Sequence, residues 1–186
     1  MDAALSVILE EGYGGVSIEA VARVAGVTRP VVYDHFPNLA RLLQALIERE
    51  ERYSLDQLEL ALPEDPGESD PTVLLARSVR RFLDAVASRP ATWRLILLPL
   101  EGTPAIVREH VERNRARILR RIERLVRAGM NRRGGPDLDT ELSARAIMDL
   151  AEQAGRQVLT DPERYTPARY ERFVESLMRL VWPRSR

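Results

Sequence analysis

Cysteine and lysine are both missing from this chain of 186 residues, and histidine occurs only twice. Without cysteine there is no disulfide framework and no thiolate metal site, which suits a reducing cytoplasm. Long apolar runs are missing too. The longest, such as Leu95 to Leu98, fall far short of the roughly 20 residues that a membrane-spanning helix needs. The opening MDAALSVILEE carries acids where a secretory signal has a basic region, so a cytoplasmic location without a membrane partner is expected. Enzyme chemistry also lacks its usual parts. His35 and His110 lie far apart in sequence, and there is no His-Glu metal spacing, no glycine-rich phosphate loop and no nucleophile with a base nearby. The expectation is a protein that is not an enzyme and that needs neither metal nor cofactor.

What is present is a composition of 45% hydrophobic and 30% charged residues, that of an ordinary globular chain able to bury a core. All 28 basic residues are arginine, balanced by 28 acids, so net charge gives no hint of a polyanionic partner. The distribution says more. Residues 1–50 hold Arg23, Arg29, Arg41 and Arg49 against seven acids, a net of −3, whereas residues 108–133 hold ten arginines against three acids, a net of +7. Within the second stretch Val111, Ile118, Ile122 and Leu125 keep one stripe apolar, which favours a solvated, ion-paired helix face over a nucleic-acid surface.

Apolar residues recur at intervals of three and four, as in Leu39, Leu42, Leu43, Leu46 and Ile47, and no sustained period-two segment competes with them. A capping residue followed by proline recurs at Asp70-Pro71, Thr103-Pro104, Asp161-Pro162 and Thr166-Pro167, each reading as a helix start. The fold class is therefore all-α, with about nine helices over 2–11, 18–25, 30–36, 39–61, 71–88, 90–98, 104–128, 139–159 and 167–181. The acidic, proline-bearing stretch 63–71 reads as a loop between two blocks.

The first block carries the most specific signal. Ser17 caps a helix whose inward side is Val21, Ala22 and Ala25, and Gly26 follows where a left-handed residue is needed. Val27 is expected to turn into the core, and Pro30 falls in the first turn of the next helix, with either Thr28 or Arg29 as its cap. Two short helices around a glycine turn make a helix-turn-helix, whose second helix presents its N-terminal residues to the major groove. With Val32 and Phe36 facing inward, Arg29, Pro30, Val31 and Tyr33 fall on the outer face. Arg29 suits guanine O6 and N7, Pro30 and Val31 suit a thymine methyl, and Ser17, Thr28, Tyr33 and His35 suit phosphate oxygens.

The stretch GYGGVSIEAVARVAGVTRPVVYDHFPNLARLLQAL resembles the N-terminal DNA-binding domain of TetR-type repressors, in which a Gly-Tyr, a Ser or Thr cap, an Ala-Gly-Val turn and a Tyr-x-His-Phe run share these spacings. The resemblance covers roughly residues 2–48. It implies an N-terminal three-helix helix-turn-helix domain, 1–48, and a larger helical ligand-binding and dimerisation domain, 49–186. It implies base-reading positions at Arg29, Pro30 and Val31 and backbone-contacting ones at Ser17, Thr28, Tyr33 and His35. It further implies a homodimer on a palindromic double-stranded DNA operator, released by a small-molecule effector. Where the family usually has a phosphate-contacting lysine after the Tyr-x-His-Phe run, this chain has Leu39.

In the second block Phe82, Trp93, His110, Met130 and Met148 are candidate walls of an effector pocket, with core packing as the alternative. The last two helices carry Leu150, Ala154 and Val158, then Phe173, Leu177 and Val181. Contributed twice across a twofold axis, they would form a four-helix dimer interface; monomer core is the alternative. Other functions open to such a chain are a helix-turn-helix used as a protein-interaction module, or a helical small-molecule binder without sequence-specific DNA binding. The net charge of −3 over residues 1–50 predicts modest operator affinity and a shallow dependence on salt, because few counterions would be released. A steep slope of log K against log salt would contradict it.

Overall fold

Side-chain oxygens on free amide hydrogens decide where most of the helices begin. The computed structural model describes residues 1–62, 70–98, 102–133 and 138–181, the side chains of Arg132, Arg133 and Val181 excepted. Among the described residues there are no strands, and nine α-helices follow one another: α1 (Asp2–Glu11), α2 (Ile18–Ala25), α3 (Arg29–His35), α4 (Leu39–Ala61), α5 (Pro71–Ser88), α6 (Pro90–Leu97), α7 (Ala105–Arg133), α8 (Thr140–Thr160) and α9 (Pro167–Val181). A 3-10 turn, Tyr13–Gly15, joins α1 to the segment before α2. Most of the loop expected over 63–71 lies outside the described residues.

Amide hydrogens of Ala20, Arg41, Thr72, Leu142 and Arg169 donate to the side chains of Ser17, Asn38, Asp70, Asp139 and Thr166 at 2.8 to 3.3 Å. Each such cap stabilises its helix by about 1 kcal/mol. Two expected starts differ. At Thr103-Pro104 it is the Pro104 carbonyl that accepts from Val107 and Arg108, at 3.1 and 3.2 Å, so Thr103 stands one residue outside the cap. Asp161-Pro162 opens a single turn, in which the Asp161 side chain and carbonyl accept from Arg164 and Tyr165. Pro167 disfavours helical geometry at Thr166, so that turn cannot run on into α9.

The chain forms two compact units. The first comprises Met1–Leu55 with Ala91–Glu112. Its core centres on Val7, Ile8, Leu42 and Leu46, joined by Ile18, Val21, Ala22, Val32 and, from α7, Val107. Ala91 and Leu95 of α6 pack against it. One carboxylate lies inside this unit: Glu50 is 1% exposed. Its Oε2 accepts from the buried Thr92 hydroxyl at 2.5 Å, while Arg49 Nε donates to Oε1 at 2.7 Å and Arg49 Nη1 reaches Asp2 at 2.6 Å. Next to it, Glu51 Oε2 lies 2.8 Å from His110 Nδ1 of α7.

The second unit comprises Asp56–Pro90 and Arg113–Arg186. Here α5 lies along α9 and α8, burying Ala76, Phe82, Leu83, Ala85 and Val86. Ile118 and Ile122 of α7 meet Ala144 and Met148 of α8. Part of the polar side of α7 is ion-paired: Arg115 reaches both Asp149 and Glu152 at 2.9 Å, Arg117 reaches Glu59 at 2.8 Å and Arg127 reaches Glu123 at 2.7 Å. Burial pushes the Glu152 carboxyl above its ordinary range, against the lowering by Arg115 and Arg156.

Gly15, in the 3-10 turn, has no room for a side chain. An added Cβ would stand 2.5 Å from Glu11 Cβ and 2.8 Å from Glu11 Oε2. Because Cβ cannot swing aside as a flexible tip would, Gly15→Ala is expected to destabilise the protein by about 1–3 kcal/mol, the usual penalty for overpacking. Thermal unfolding followed by circular dichroism measures it, with Gly14→Ala, where nothing lies within 4 Å, as the neutral comparison.

Candidate nucleic-acid interface

The segment from Ser17 to Phe36 is built on a left-handed glycine. Gly26 has φ 67° and ψ 28°, its amide hydrogen turns back to the carbonyls of Ala22 and Arg23, and the Val27 amide donates to Ala22 at 3.0 Å. These bonds close α2 and reverse the chain into α3. Val32, 6% exposed, anchors α3 beside Val21 and Ala22, and Phe36 packs at the edge of the same core. Ala25 and Val27, expected to face inward, are exposed, Val27 by 41%. Two helices this short bury only one side each, and Val21, Ala22 and Val32 take the inward positions.

The backbone of Thr28 is extended, with φ −84° and ψ 156°, and its carbonyl accepts from Val32 at 3.4 Å. Thr28 is therefore the residue before the first helical turn, Arg29 the first in it and Pro30 the second. The Thr28 hydroxyl makes no capping bond. Ser17 differs, since its oxygen accepts from Ala20 while its proton can still be donated to an outside acceptor such as a phosphate oxygen.

Thr28, Arg29, Pro30, Val31, Tyr33 and His35 are all exposed, and Ser17 is half-buried. The side chains assigned to DNA therefore crowd onto one short helix and the turn before it, with Ser17 at the start of the helix behind. Sequence reasoning missed one neighbour among them. Glu19, in the first turn of α2, places Oε1 2.8 Å from Arg29 Nη2. The two are ten positions apart and on different helices, so no local spacing rule relates them. Leu39 packs against the core of the first unit.

The five candidate pocket residues divide between the units. Trp93, 1% exposed, and His110 belong to the first, whereas Phe82, Met130 and Met148 belong to the second. His110 points its Nδ1 at Glu51. A shallow hollow in the second unit is lined by Asp56, Glu59, Leu60 and Arg121 and involves none of the five. Of the residues assigned to a dimer contact, Leu150, Phe173 and Leu177 are exposed, by 67%, 58% and 39%. Ala154 and Val158 are each 3% exposed, so the chain's own packing already covers them and leaves no side chain for a partner. The Val181 side chain lies outside the described residues. Leu142 of α8 and Leu180 of α9, 64% and 81% exposed, are further exposed apolar side chains on these helices. Among the described residues no three His, Asp or Glu side chains gather as a metal site, and no helix is long and apolar enough to cross a membrane.

Residues 1–46 match the family of bacterial regulatory proteins described as the tetR family, and residues 71–183 match a tetracyclin repressor-like C-terminal domain. The chain belongs to the TetR family. Solved structures agree in fold. A TetR-like transcriptional regulator from Rhodococcus sp. RHA1 superimposes with a TM-score of 0.78 at 23% identity, over 98% of this chain and 93% of that one. The fatty acid degradation regulator FadR from Bacillus halodurans gives 0.72 at 22%, over 100% and 94%. FadR from Bacillus subtilis, in complex with stearoyl-CoA, gives 0.71 at 19%, over 99% and 97%. No curated protein matches the chain. As a TetR regulator it is a DNA-binding protein of a ligand-responsive class.

The two hydroxyls next to the turn predict different stability effects. Ser17→Ala removes a capping bond and is expected to cost about 1 kcal/mol of unfolding free energy. Thr28→Ala removes none and should leave the melting temperature unchanged. Denaturant titration of the two variants side by side checks this.

Proposed function

We propose that this TetR protein is a repressor that binds a palindromic operator as a homodimer and lets go when a small molecule binds. The observation that carries the DNA half of this reading is the exposed cluster of Thr28, Arg29, Pro30, Val31, Tyr33 and His35 on and before α3. In such a helix the first residues reach base edges, so Arg29 donates to guanine O6 and N7 while Pro30 and Val31 meet a thymine methyl. The hydroxyls of Ser17, Thr28 and Tyr33, with His35, hold phosphate oxygens and fix register.

Two-fold pairing is supported by the exposed apolar side chains Leu142 and Leu150 of α8 and Phe173, Leu177 and Leu180 of α9. Solvated apolar surface of that kind is what a homodimer covers. Effector release works as a coupling free energy between effector and operator, typically about 1–3 kcal/mol in such systems. We assign the lever to α4, whose Glu50 and Glu51 are tied to Thr92 of α6 and His110 of α7. The fold shared with the two FadR proteins, one of them holding stearoyl-CoA, makes a long-chain acyl-CoA the first effector to try.

Selection of duplexes from a random library should return a palindrome with half-sites about one helical turn apart. Arg29→Ala should then lose discrimination at one guanine by about tenfold or more, and an unchanged ratio would sink the base-reading assignment. Replacing Phe173 and Leu177 together by Asp should yield monomers by sedimentation and weaken operator binding. Added stearoyl-CoA should release the operator in a gel-shift titration; persistence of the complex would exclude this effector while leaving the DNA assignment intact.

A further inference from the structure

We infer that Glu19 is a positioning residue for base reading, holding the Arg29 guanidinium so that its remaining N–H groups face a guanine edge. The inference rests on the reading of α3 as the DNA-reading helix. Arg29 opens α3 and Glu19 stands in the first turn of α2, and the core residues Val21, Ala22 and Val32 fix the two helices against each other. Across that junction Glu19 Oε1 and Arg29 Nη2 are 2.8 Å apart, with side chains 55% and 56% exposed.

A pair this open to solvent contributes little to folding. Its effect is on direction. An unpaired arginine side chain samples many rotamers, whereas one Nη2–H bonded to a carboxylate fixes the plane of the guanidinium and leaves the other N–H groups free for O6 and N7. The carboxylate also has an electrostatic consequence. A negative charge beside a phosphate-binding surface weakens attraction to every duplex alike, and here it cancels the single cation of α3. General affinity falls while discrimination rises, because Arg29 is held for the base and not offered to the nearest phosphate.

A carboxylate that merely competes with DNA for Arg29 makes a different forecast, and binding to the selected operator, to its single-base variants and to random duplex separates the two. Removing the carboxylate by Glu19→Ala should raise affinity for random duplex and lower discrimination at the Arg29-dependent guanine by about tenfold. Glu19→Gln keeps an acceptor oxygen without the charge, so it should raise random affinity equally but retain discrimination. In the Arg29→Ala background, Glu19→Ala should leave discrimination where it was. A Glu19→Ala protein that binds operator and random duplex more tightly by the same factor would overturn the inference, since Glu19 would then be a competitor only. Loss of discrimination in Glu19→Gln equal to that in Glu19→Ala would overturn it too. A native chain that selects no consensus would remove the DNA reading itself, a failure distinct from either of these. Unchanged circular dichroism spectra and melting temperatures in both variants serve as the folding control.

Discussion

A carboxylate withdrawn from water has to be met by donors, and the donors available to Glu50 decide which parts of the chain form the first unit. Burying an ion without partners is costly enough that the fold must supply them. Arg49 comes from the same helix, but Thr92 comes from α6, forty-two positions further on. Since α6 is needed to satisfy Glu50, the unit that carries α1 to α3 is not a contiguous N-terminal piece. It recruits Ala91–Glu112, and Val107 then completes the core while His110 meets the next acid along α4.

The same unit shows how a small anchor serves a large exposed surface. α2 and α3 together bury few side chains, chiefly Ile18, Ala20, Val21, Ala22 and Val32. Most of the rest of α3 is left to solvent, including Val31 and Tyr33 at 40% and 45%. Apolar exposure of this kind is unfavourable in an isolated molecule and sensible on a surface that closes on a groove lined with methyl groups and sugars. The rigidity of this surface comes from backbone chemistry: the left-handed Gly26, the Ser17 cap and the proline in the first turn of α3.

Much of this was legible in the sequence, wherever a rule is local. Asn38, Asp70 and Thr166 announce helix starts because the bond they make spans only two or three residues, and Gly26 announces the turn because few other residues accept its φ. Asp161-Pro162 misleads for the same reason: the local signal is real, but Thr166-Pro167 overrides it a few residues later. What could not be read is set by contacts between distant positions. Glu50 looks like one more acid on a polar helix face, Ala154 and Val158 look like any apolar pair on α8, and Glu19 gives no sign of its partner on another helix. The candidate pocket residues divided between units because apolar spacing marks burial without saying against what.

Arg115 gives α7 and α8 a fixed register. Its guanidinium is shared by Asp149 and Glu152, carboxylates three positions apart and so about one turn of α8. Sliding α7 along its neighbour by a fraction of a turn would break both bonds and leave the half-buried Glu152 with Arg156 of its own helix as the remaining counter-charge. Small axial slips are therefore resisted, and a whole-turn step finds no second pair of acids, because Arg145 and Arg156 stand one turn away on α8. Motions that pass through this pair should travel as rotation of the two helices together, which makes α7 and α8 a strut more than a sliding joint.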